Sequence, residues 1–162
     1  MRIKLHVTMR VCIGYPSCIT NPSLAMGVLS IFILSKAGGL IYHKDFGFGL
    51  KKLNNSNDYL VIAGTFHSVH ALTTRVNPLN THSSGLLTME METCTLHCLQ
   101  TLTGLKFVVV TDNNQSNVSV VSSTIYEIYS DYVMKNPFYT LDMPIRCHKF
   151  DRALNQYIST VE

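Results

Sequence analysis

The sequence predicts one α+β domain in which five mainly antiparallel strands carry helices on both faces of the sheet. Two apolar runs, Leu29–Lys36 and Leu40–Phe46, flank Gly38 and Gly39. This pattern is typical of a β-hairpin, because glycine adopts positive φ without steric cost. The run KFVVVT at 106–111 reads as a fully buried strand. Elsewhere, three segments repeat apolar residues every three or four positions, as amphipathic helices do.

The first of these helices follows a loop predicted at Gly47–Asn57. We expect Asp58 to cap it, since an aspartate oxygen accepts a hydrogen bond from an early free amide, and we expect it to end near Arg75. One helical face is apolar: Tyr59, Ile62, Ala63, Phe66, Val69 and His70. Further apolar residues lie on other faces: Leu60, Val61, Ala71 and Leu72. A helix of this kind is buried on two sides, so its second face needs a partner inside or outside this chain.

The remaining elements follow a predicted loop at Asn77–Ser84. The next three strands are predicted at Leu86–Glu92, Thr95–Thr101 and Lys106–Thr111. A second helix is predicted from Val118 to Lys135 and a third over Ile145–Val161, with Phe138–Pro144 as the loop between them. Their apolar stripes are Val121, Ile125, Ile128 and Tyr132 in the second helix, and Phe150, Leu154, Tyr157 and Ile158 in the third. The order is strand, strand, helix, three strands, helix, helix.

Composition limits the function classes. The chain has 162 residues, which suits one domain, and a formal net charge of +3 without a cluster of basic and aromatic residues, so we expect no nucleic-acid partner. Its apolar runs are shorter than a membrane span. Residues 1–26 are interpreted as an N-terminal extension, disordered or loosely docked, because Gly14 and Pro16 interrupt the apolar core that a signal peptide needs. The domain itself is placed at 27–162.

Candidate chemistry is sparse. Cys94, His97 and Cys98 resemble part of a metal cluster, but no second ligand pair accompanies them, and His67 and His70 form only a helical pair. We find no nucleophile elbow, phosphate-binding loop or dinucleotide fingerprint. We therefore expect no metal, no cofactor, no small-molecule substrate and no catalytic residues. A cysteine-dependent hydrolase stays open as an alternative, since five cysteines and seven histidines offer many pairs.

The segment from Tyr126 to Arg146 (YEIYSDYVMKNPFYTLDMPIR) is the most unusual in composition. It holds four tyrosines, two methionines and two prolines. Tyrosine, methionine and arginine are favoured at protein interfaces, because they combine a large apolar contact with a polar tip. The same residues could instead pack a helix on the sheet and stiffen a corner. The sequence leaves both interpretations open.

Four blocks resemble the synbindin family of TRAPP vesicle-tethering subunits. They are SKAGGLIYHKDF at 35–46, YLVIAGTFHSVHAL at 59–72, LHCLQTLTGLKFVVV at 96–110 and IYEIYSDYVMKNPFYTLDMPIRCHKFD at 125–151. The resemblance implies a longin-like (profilin-like) fold, with a five-stranded antiparallel sheet flanked by one helix on one face and two on the other. Some relatives carry an inserted module after the first helix, where this chain has only Asn77–Ser84.

The resemblance also implies a function. Members of this family are non-catalytic core subunits that pack beside other longin-type subunits and the lipid-binding-pocket subunits. The core they build binds a Rab GTPase of the ER-to-Golgi step and promotes GDP release. The expected location is cytoplasmic, peripheral at endoplasmic reticulum and cis-Golgi membranes. The alternative within the fold is a longin module of a vesicle-coat adaptor or of a SNARE, the latter with a heptad-repeat helix and a membrane anchor.

Ten residues of the unusual segment are predicted to face partners or to form the corner. They are Tyr129, Asp131, Tyr132, Lys135, Asn136, Pro137, Phe138, Met143, Pro144 and Arg146.

Overall fold

The computed structural model describes residues 27–46, 56–76, 85–113 and 117–161. The predicted extension at 1–26 and most of the two predicted loops at 47–57 and 77–84 lie outside these residues. Within them the elements are β1 (Val28–Leu34), β2 (Leu40–Asp45), α1 (Ser56–Arg75), β3 (Thr88–Glu90), β4 (Thr95–Gln100), β5 (Lys106–Thr111), α2 (Val118–Tyr129), a π-helical turn (Ser130–Met134) and α3 (His148–Val161). No helix in this part of the chain is long and apolar enough to span a bilayer.

The five strands form one antiparallel sheet in the order β2-β1-β5-β4-β3. The β1–β2 hairpin closes as predicted, with Gly38 at a φ of 92°. The Ser35 amide donates to the Gly39 carbonyl at 2.8 Å across the turn. Strand β3 is shorter than the predicted Leu86–Glu92, because only three of its residues pair, and only with β4. Strands β2 and β3 are therefore the two edges of the sheet.

Side chains of the central strand alternate between two apolar cores. Phe107 and Val109 of β5 point to the core shared with α2 and α3, while Val108 and Val110 point to the core shared with α1. This alternation follows from the two-residue period of a strand. One helix thus covers one face and two cover the other. The predicted longin-like arrangement is confirmed.

Helix α1 begins at Ser56, two residues before the predicted cap. Asp58 therefore lies within the first turn, and its assignment as the capping residue was wrong. An aspartate in the first turn is also favourable, because the free amides there carry partial positive charge. An aspartate in the sequence therefore does not distinguish the capping position from the first turn. The buried stripe is Tyr59, Ala63, Phe66 and His70. It packs against the sheet as the spacing predicts.

The second helix changes character near its end. Helix α2 stops at Tyr129 and continues as the π-helical turn, so the predicted single α-helix to Lys135 was wrong. A π turn contains one more residue than an α turn, which shifts the following side chains around the axis. As a result Val133 is 1% exposed, whereas Tyr132, predicted in the apolar stripe, is 41% exposed.

Helix α3 starts at His148, three residues later than predicted. Ile145 instead donates its amide to the Ile41 carbonyl of β2 at 3.1 Å. This bond competes with the first helical turn and delays the helix. The predicted stripe of Phe150, Leu154 and Ile158 is buried against the sheet and α2.

A candidate protein interface at the α2–α3 corner

The segment between α2 and α3 folds into a fixed corner, which we define as residues 130–147. Its backbone bonds to itself: the Asn136 amide donates to the Val133 carbonyl at 3.1 Å, and the Tyr139 amide to the Asn136 carbonyl at 3.1 Å. The Asn136 side chain accepts the Phe138 amide at 3.2 Å. An asparagine side chain that bonds the backbone two residues ahead is a known turn-forming device. Asn136 therefore shapes the turn that carries Phe138.

Two tyrosines hold the corner from inside. Tyr129 is 1% exposed and packs its ring edge-on against Phe107, with centroids 5.3 Å apart. Burial is the largest cause that raises the pKa of Tyr129, and the neighbouring Tyr139 hydroxyl raises it further. Even so, the Tyr129 hydroxyl has no partner of hydrogen-bonding geometry among the described residues. Tyr139 donates its own hydroxyl to the Met143 carbonyl at 3.1 Å, which closes the loop.

The loop turns back through Asp142, which adopts a φ of 66°. Left-handed backbone is costly for most residues, but aspartate is among those that tolerate it. The neighbouring Met143 amide donates to the Thr140 carbonyl at 3.3 Å. Backbone geometry thus sets the direction of Leu141 and Met143.

The outer surface of the corner is apolar. Phe138 is 92% exposed, Leu141 64% and Met143 57%. Beside them lies a cleft of about 310 Å³, and Phe138, Met143 and Pro144 line its mouth while Val133 and Ile145 line its base. Exposed aromatic and methionine side chains around an apolar cleft are features of protein interaction sites.

The ten predicted residues fall into three groups. Tyr129 lies in the core, so it does not face solvent, and corner formation stays a prediction for it. Asp131 and Lys135 form an exposed ion pair with each other, as their four-residue spacing predicts. The remaining seven lie at the corner surface, with Asn136 partly covered: Tyr132, Asn136, Pro137, Phe138, Met143, Pro144 and Arg146.

Sequence reasoning missed three residues of this corner. Leu141 was placed only in a loop, although it is among its most exposed apolar side chains. Tyr139 and Cys147 line the cleft, and the Cys147 thiol faces the Tyr132 carbonyl at 3.9 Å. The only signal for Leu141 was an apolar residue inside a polar loop. The contact of Cys147 depends on the π turn and had no sequence signal.

A second exposed apolar surface lies on α1. Leu60, Val61 and Leu72 point away from the sheet, and Val61 is 65% exposed. Nothing in the described part of the chain packs over them. This is the second helix face for which the sequence predicted a partner.

The cysteines and histidines do not gather into a site. No group of three metal-ligating side chains occurs among the residues described. Cys98 is buried in the core below α1, and burial raises its pKa to about 12. Burial also lowers the pKa of His97, whose side chain lies on the opposite face of β4. A thiol with a raised pKa is a poor nucleophile.

Comparison with solved structures finds distant neighbours. A Roadblock/LC7 domain from Streptomyces avermitilis superposes with a TM-score of 0.47 and 9% identity over 64% of this chain and 86% of its own. Myxococcus xanthus MglB superposes with a TM-score of 0.42 and 15% sequence identity over 64% of this chain and 85% of its own length. These scores are low, and the fold assignment depends on the sheet order and helix placement themselves.

Sequence relatives are more informative. A Dictyostelium discoideum protein named "Trafficking protein particle complex subunit 4" is 44% identical over 137 residues, 85% of this chain and all of the relative. The Bos taurus protein of that name is 45% identical over 75% of this chain but only 54% of its own length. A Dictyostelium discoideum "Trafficking protein particle complex subunit 1" is 29% identical over 81% of this chain and 94% of its own.

The sequence profile of the Sybindin-like family matches residues 28–161, which include every described strand and helix. The four sequence blocks quoted above lie inside this range, so the resemblance predicted from them is confirmed. The chain belongs to the Sybindin-like family.

Proposed function

We propose that this protein is a non-catalytic core subunit of a TRAPP vesicle-tethering complex. In that role it contributes to GDP release from a Rab GTPase of the ER-to-Golgi step, at the cytoplasmic surface of endoplasmic reticulum and cis-Golgi membranes. The names of the relatives support the complex. Those names do not mention a Rab GTPase, a transport step or a membrane, so these parts of the proposal go beyond them. Its partners are the longin-type and lipid-binding-pocket subunits of the same core.

The observation that carries this proposal is the exposed apolar surface of a rigid corner. Burying a phenylalanine, leucine or methionine side chain stabilises a contact by about 2 kcal/mol. The backbone that carries Phe138, Leu141 and Met143 is held by hydrogen bonds, so little backbone entropy would be lost when a partner covers these side chains. Such a surface is costly to leave in water. It is well suited to a subunit that works inside an assembly.

The outer face of α1 supports assembly independently. Leu60, Val61 and Leu72 lie on the opposite side of the sheet from the corner. A subunit with uncovered apolar surfaces on both sides can contact two neighbours at once. We propose that one neighbour covers α1 and that another subunit or the Rab covers the corner.

Nucleotide exchange of this kind needs no nucleophile. An exchange factor binds the nucleotide-free GTPase more tightly than the GDP-bound form, and this difference in affinity shifts the equilibrium toward release. The chain then has to supply shape and contacts only.

The test is reconstitution with the small TRAPP subunits of the same organism, followed by release of a fluorescent GDP from its early-secretory Rab. Phe138→Ala should weaken assembly or slow GDP release by about tenfold or more, as loss of a central aromatic contact does. The melting temperature of the isolated chain should change little, because Phe138 packs against almost nothing. Arg146→Ala should act in the same direction.

The matched control is Val120→Ala. Val120 is also apolar and 60% exposed, but it lies in the first turn of α2, about 15 Å along the helix from the start of the π turn. It should leave assembly and release unchanged. Equal losses in assembly and in thermal stability for Phe138→Ala would assign the corner a purely structural role. Co-purification with large coat-adaptor chains instead of TRAPP subunits would favour the adaptor alternative.

A further inference from the structure

The edge strand β2 carries unused backbone hydrogen-bonding groups. The Phe46 amide bonds to the Leu29 carbonyl of β1 at 2.8 Å, whereas the Ile41 carbonyl accepts from Ile145 on the other side. Successive residues of a strand direct their N–H and C=O groups to opposite sides. Those of His43 and Asp45 therefore point out of the sheet, as Ile41 does. No backbone partner for the outward groups of His43 and Asp45 occurs among the described residues.

A groove runs along this edge. It has a volume of about 460 Å³, and β2 forms one wall while the segment 144–146 and α3 form the other. The side chains that line its open part are Tyr42, His43, Lys44, Pro144, Arg146 and Asp151. We call it the β2 edge groove. The bond between Ile145 and Ile41 closes one end, and beyond it no backbone group of the described residues bonds to the outward groups of His43 and Asp45.

The groove carries more positive than negative charge. Lys44 and Arg146 line it together with one carboxylate, Asp151, which accepts the Tyr42 hydroxyl at 2.6 Å and keeps its negative charge. Lys44 lies over the Phe46 ring at 5.6 Å, and neither Lys44 nor Arg146 has an ion-pair partner in the described ranges. Two cations without an ion-pair partner among the described residues thus flank the strand edge, against the single carboxylate of Asp151.

A lysine on an edge strand ordinarily discourages pairing with an apolar strand from another molecule. An acidic strand reverses that effect, because its carboxylates would meet Lys44 and Arg146 while its backbone meets His43 and Asp45. Main-chain bonds then supply affinity and the side chains supply specificity, as in other cases of strand addition.

We propose that the β2 edge groove binds an extended acidic peptide segment of a partner protein as a sixth strand of the sheet. The bound segment pairs with His43 and Asp45 through its backbone and places carboxylates beside Lys44 and Arg146. This site shares Pro144 and Arg146 with the corner but does not include Phe138 or Leu141. The inference holds whether or not the chain acts in nucleotide exchange.

The first test uses the full 162-residue chain and two synthetic nine-residue peptides, one alternating valine with glutamate and the other valine with lysine. The acidic peptide should bind and should slow hydrogen exchange of the His43 and Asp45 amides, observed residue by residue by NMR. The basic peptide should bind at least tenfold more weakly. Equal binding of the two peptides, or protection at other amides only, would overturn the proposal.

Charge reversal tests the side chains. The double variant Lys44→Glu, Arg146→Glu should lose at least tenfold in affinity for the acidic peptide. Lys149→Glu with Arg152→Glu makes the same change in net charge on the exposed surface of α3, outside the groove. At 0.15 M salt this control should lose no more than about threefold, because separated surface charges are screened. Equal losses would reduce the effect to net charge.

Backbone pairing is tested from the peptide side, which avoids unfolding the protein. N-methylation at alternate amides removes the donors on one edge of a strand, and shifting the pattern by one residue removes those on the other. One methylated form should lose binding and the other should keep it. Equal binding of both forms would exclude strand addition. Concentration-dependent dimerisation of the chain without peptide, with protection of the same amides, would show that a second copy occupies the edge.

Discussion

Tyr42 donates its hydroxyl to Asp151 Oδ1 at 2.6 Å and thereby joins the edge strand β2 to helix α3 across 109 residues of sequence. The ring of Tyr42 also meets Phe150 edge-on, with centroids 5.0 Å apart. On the other face of the sheet, Tyr59 of α1 donates to Asp45 Oδ2 at 2.6 Å. Strand β2 is therefore fastened to a helix on each side.

The two tyrosine–aspartate bonds should contribute separately to stability. Tyr42→Phe and Tyr59→Phe each remove a hydrogen bond to a carboxylate, which typically costs about 1.5–3 kcal/mol when the acceptor is charged. The free energy of unfolding, measured by urea titration, should fall by about that amount in each variant. The double variant should show the sum of the two losses within about 0.5 kcal/mol. A clearly smaller loss would show that the bonds are coupled through β2.

Two glycines should respond to alanine in opposite directions. Gly38 has a φ of 92°, and a Cβ there would lie 2.7 Å from the His67 ring. Gly38→Ala should therefore destabilise the chain by about 1–3 kcal/mol. Gly64 lies within α1 with open space at its Cβ position, so Gly64→Ala should stabilise by about 0.5–1 kcal/mol. Thermal melting of the two variants measures both changes. Stabilisation by Gly38→Ala would contradict the hairpin geometry described above.

Alkaline pH should destabilise the protein through Tyr129. Burial raises the pKa of Tyr129 well above the ordinary tyrosine value of about 10, so the folded state holds its proton after the unfolded state has lost it. The contribution is fully present below pH 10 and is lost as the pH rises above it, at about 1.4 kcal/mol per pH unit. Urea unfolding at pH 9, 10 and 11 should show at least this slope, since the raised pKa of Tyr42 acts in the same direction.

The matched variant is Tyr129→Phe, which keeps the ring in contact with Phe107 and removes the unpartnered hydroxyl. It should be as stable as the wild type at pH 7, or more stable by up to about 1 kcal/mol. Above pH 10 it should lose less stability than the wild type. Parallel pH profiles for the two proteins would place the titrating group elsewhere, for example at Tyr42, whose pKa is also raised by burial and by Asp151.

Cys98 should react slowly with iodoacetamide in the folded chain. Its thiol is buried and its pKa is raised to about 12, so almost none is thiolate at pH 7.5. Mass spectrometry of peptides sampled over time would follow its alkylation, with the urea-unfolded chain as the reference for full reactivity. Fast reaction of Cys98 in the folded chain would revive the hydrolase alternative.

Local patterns predicted most of the fold. The Gly38 turn, the strand at 106–111 and the stripe of Phe150, Leu154 and Ile158 each depend on residues close in sequence, and the structure reproduces all three. The start of α3 was missed because Ile145 bonds to Ile41, more than a hundred residues away. No local pattern contains that contact.

The candidate interface was only partly predictable. Composition pointed to the segment 126–146, but it could not separate Tyr129, which is buried, from Phe138, which is exposed. Nor could it separate Val133 from Tyr132. The π-helical turn after α2 places Val133 inward and Tyr132 outward. A period of 3.6 residues, continued through this turn, instead places Tyr132 in the buried stripe, as the sequence predicted.

The wider turn at Ser130–Met134 also makes the direction of the corner depend on how the end of the helix winds. Ordinary α-helical winding of the same five residues would rotate everything beyond them by about 100° around the helix axis. Phe138 and Met143 would then face a different side of the domain, with every side chain of the corner unaltered. A change of winding here would therefore redirect the surface presented to neighbours, whereas loss of one exposed side chain would only change its strength.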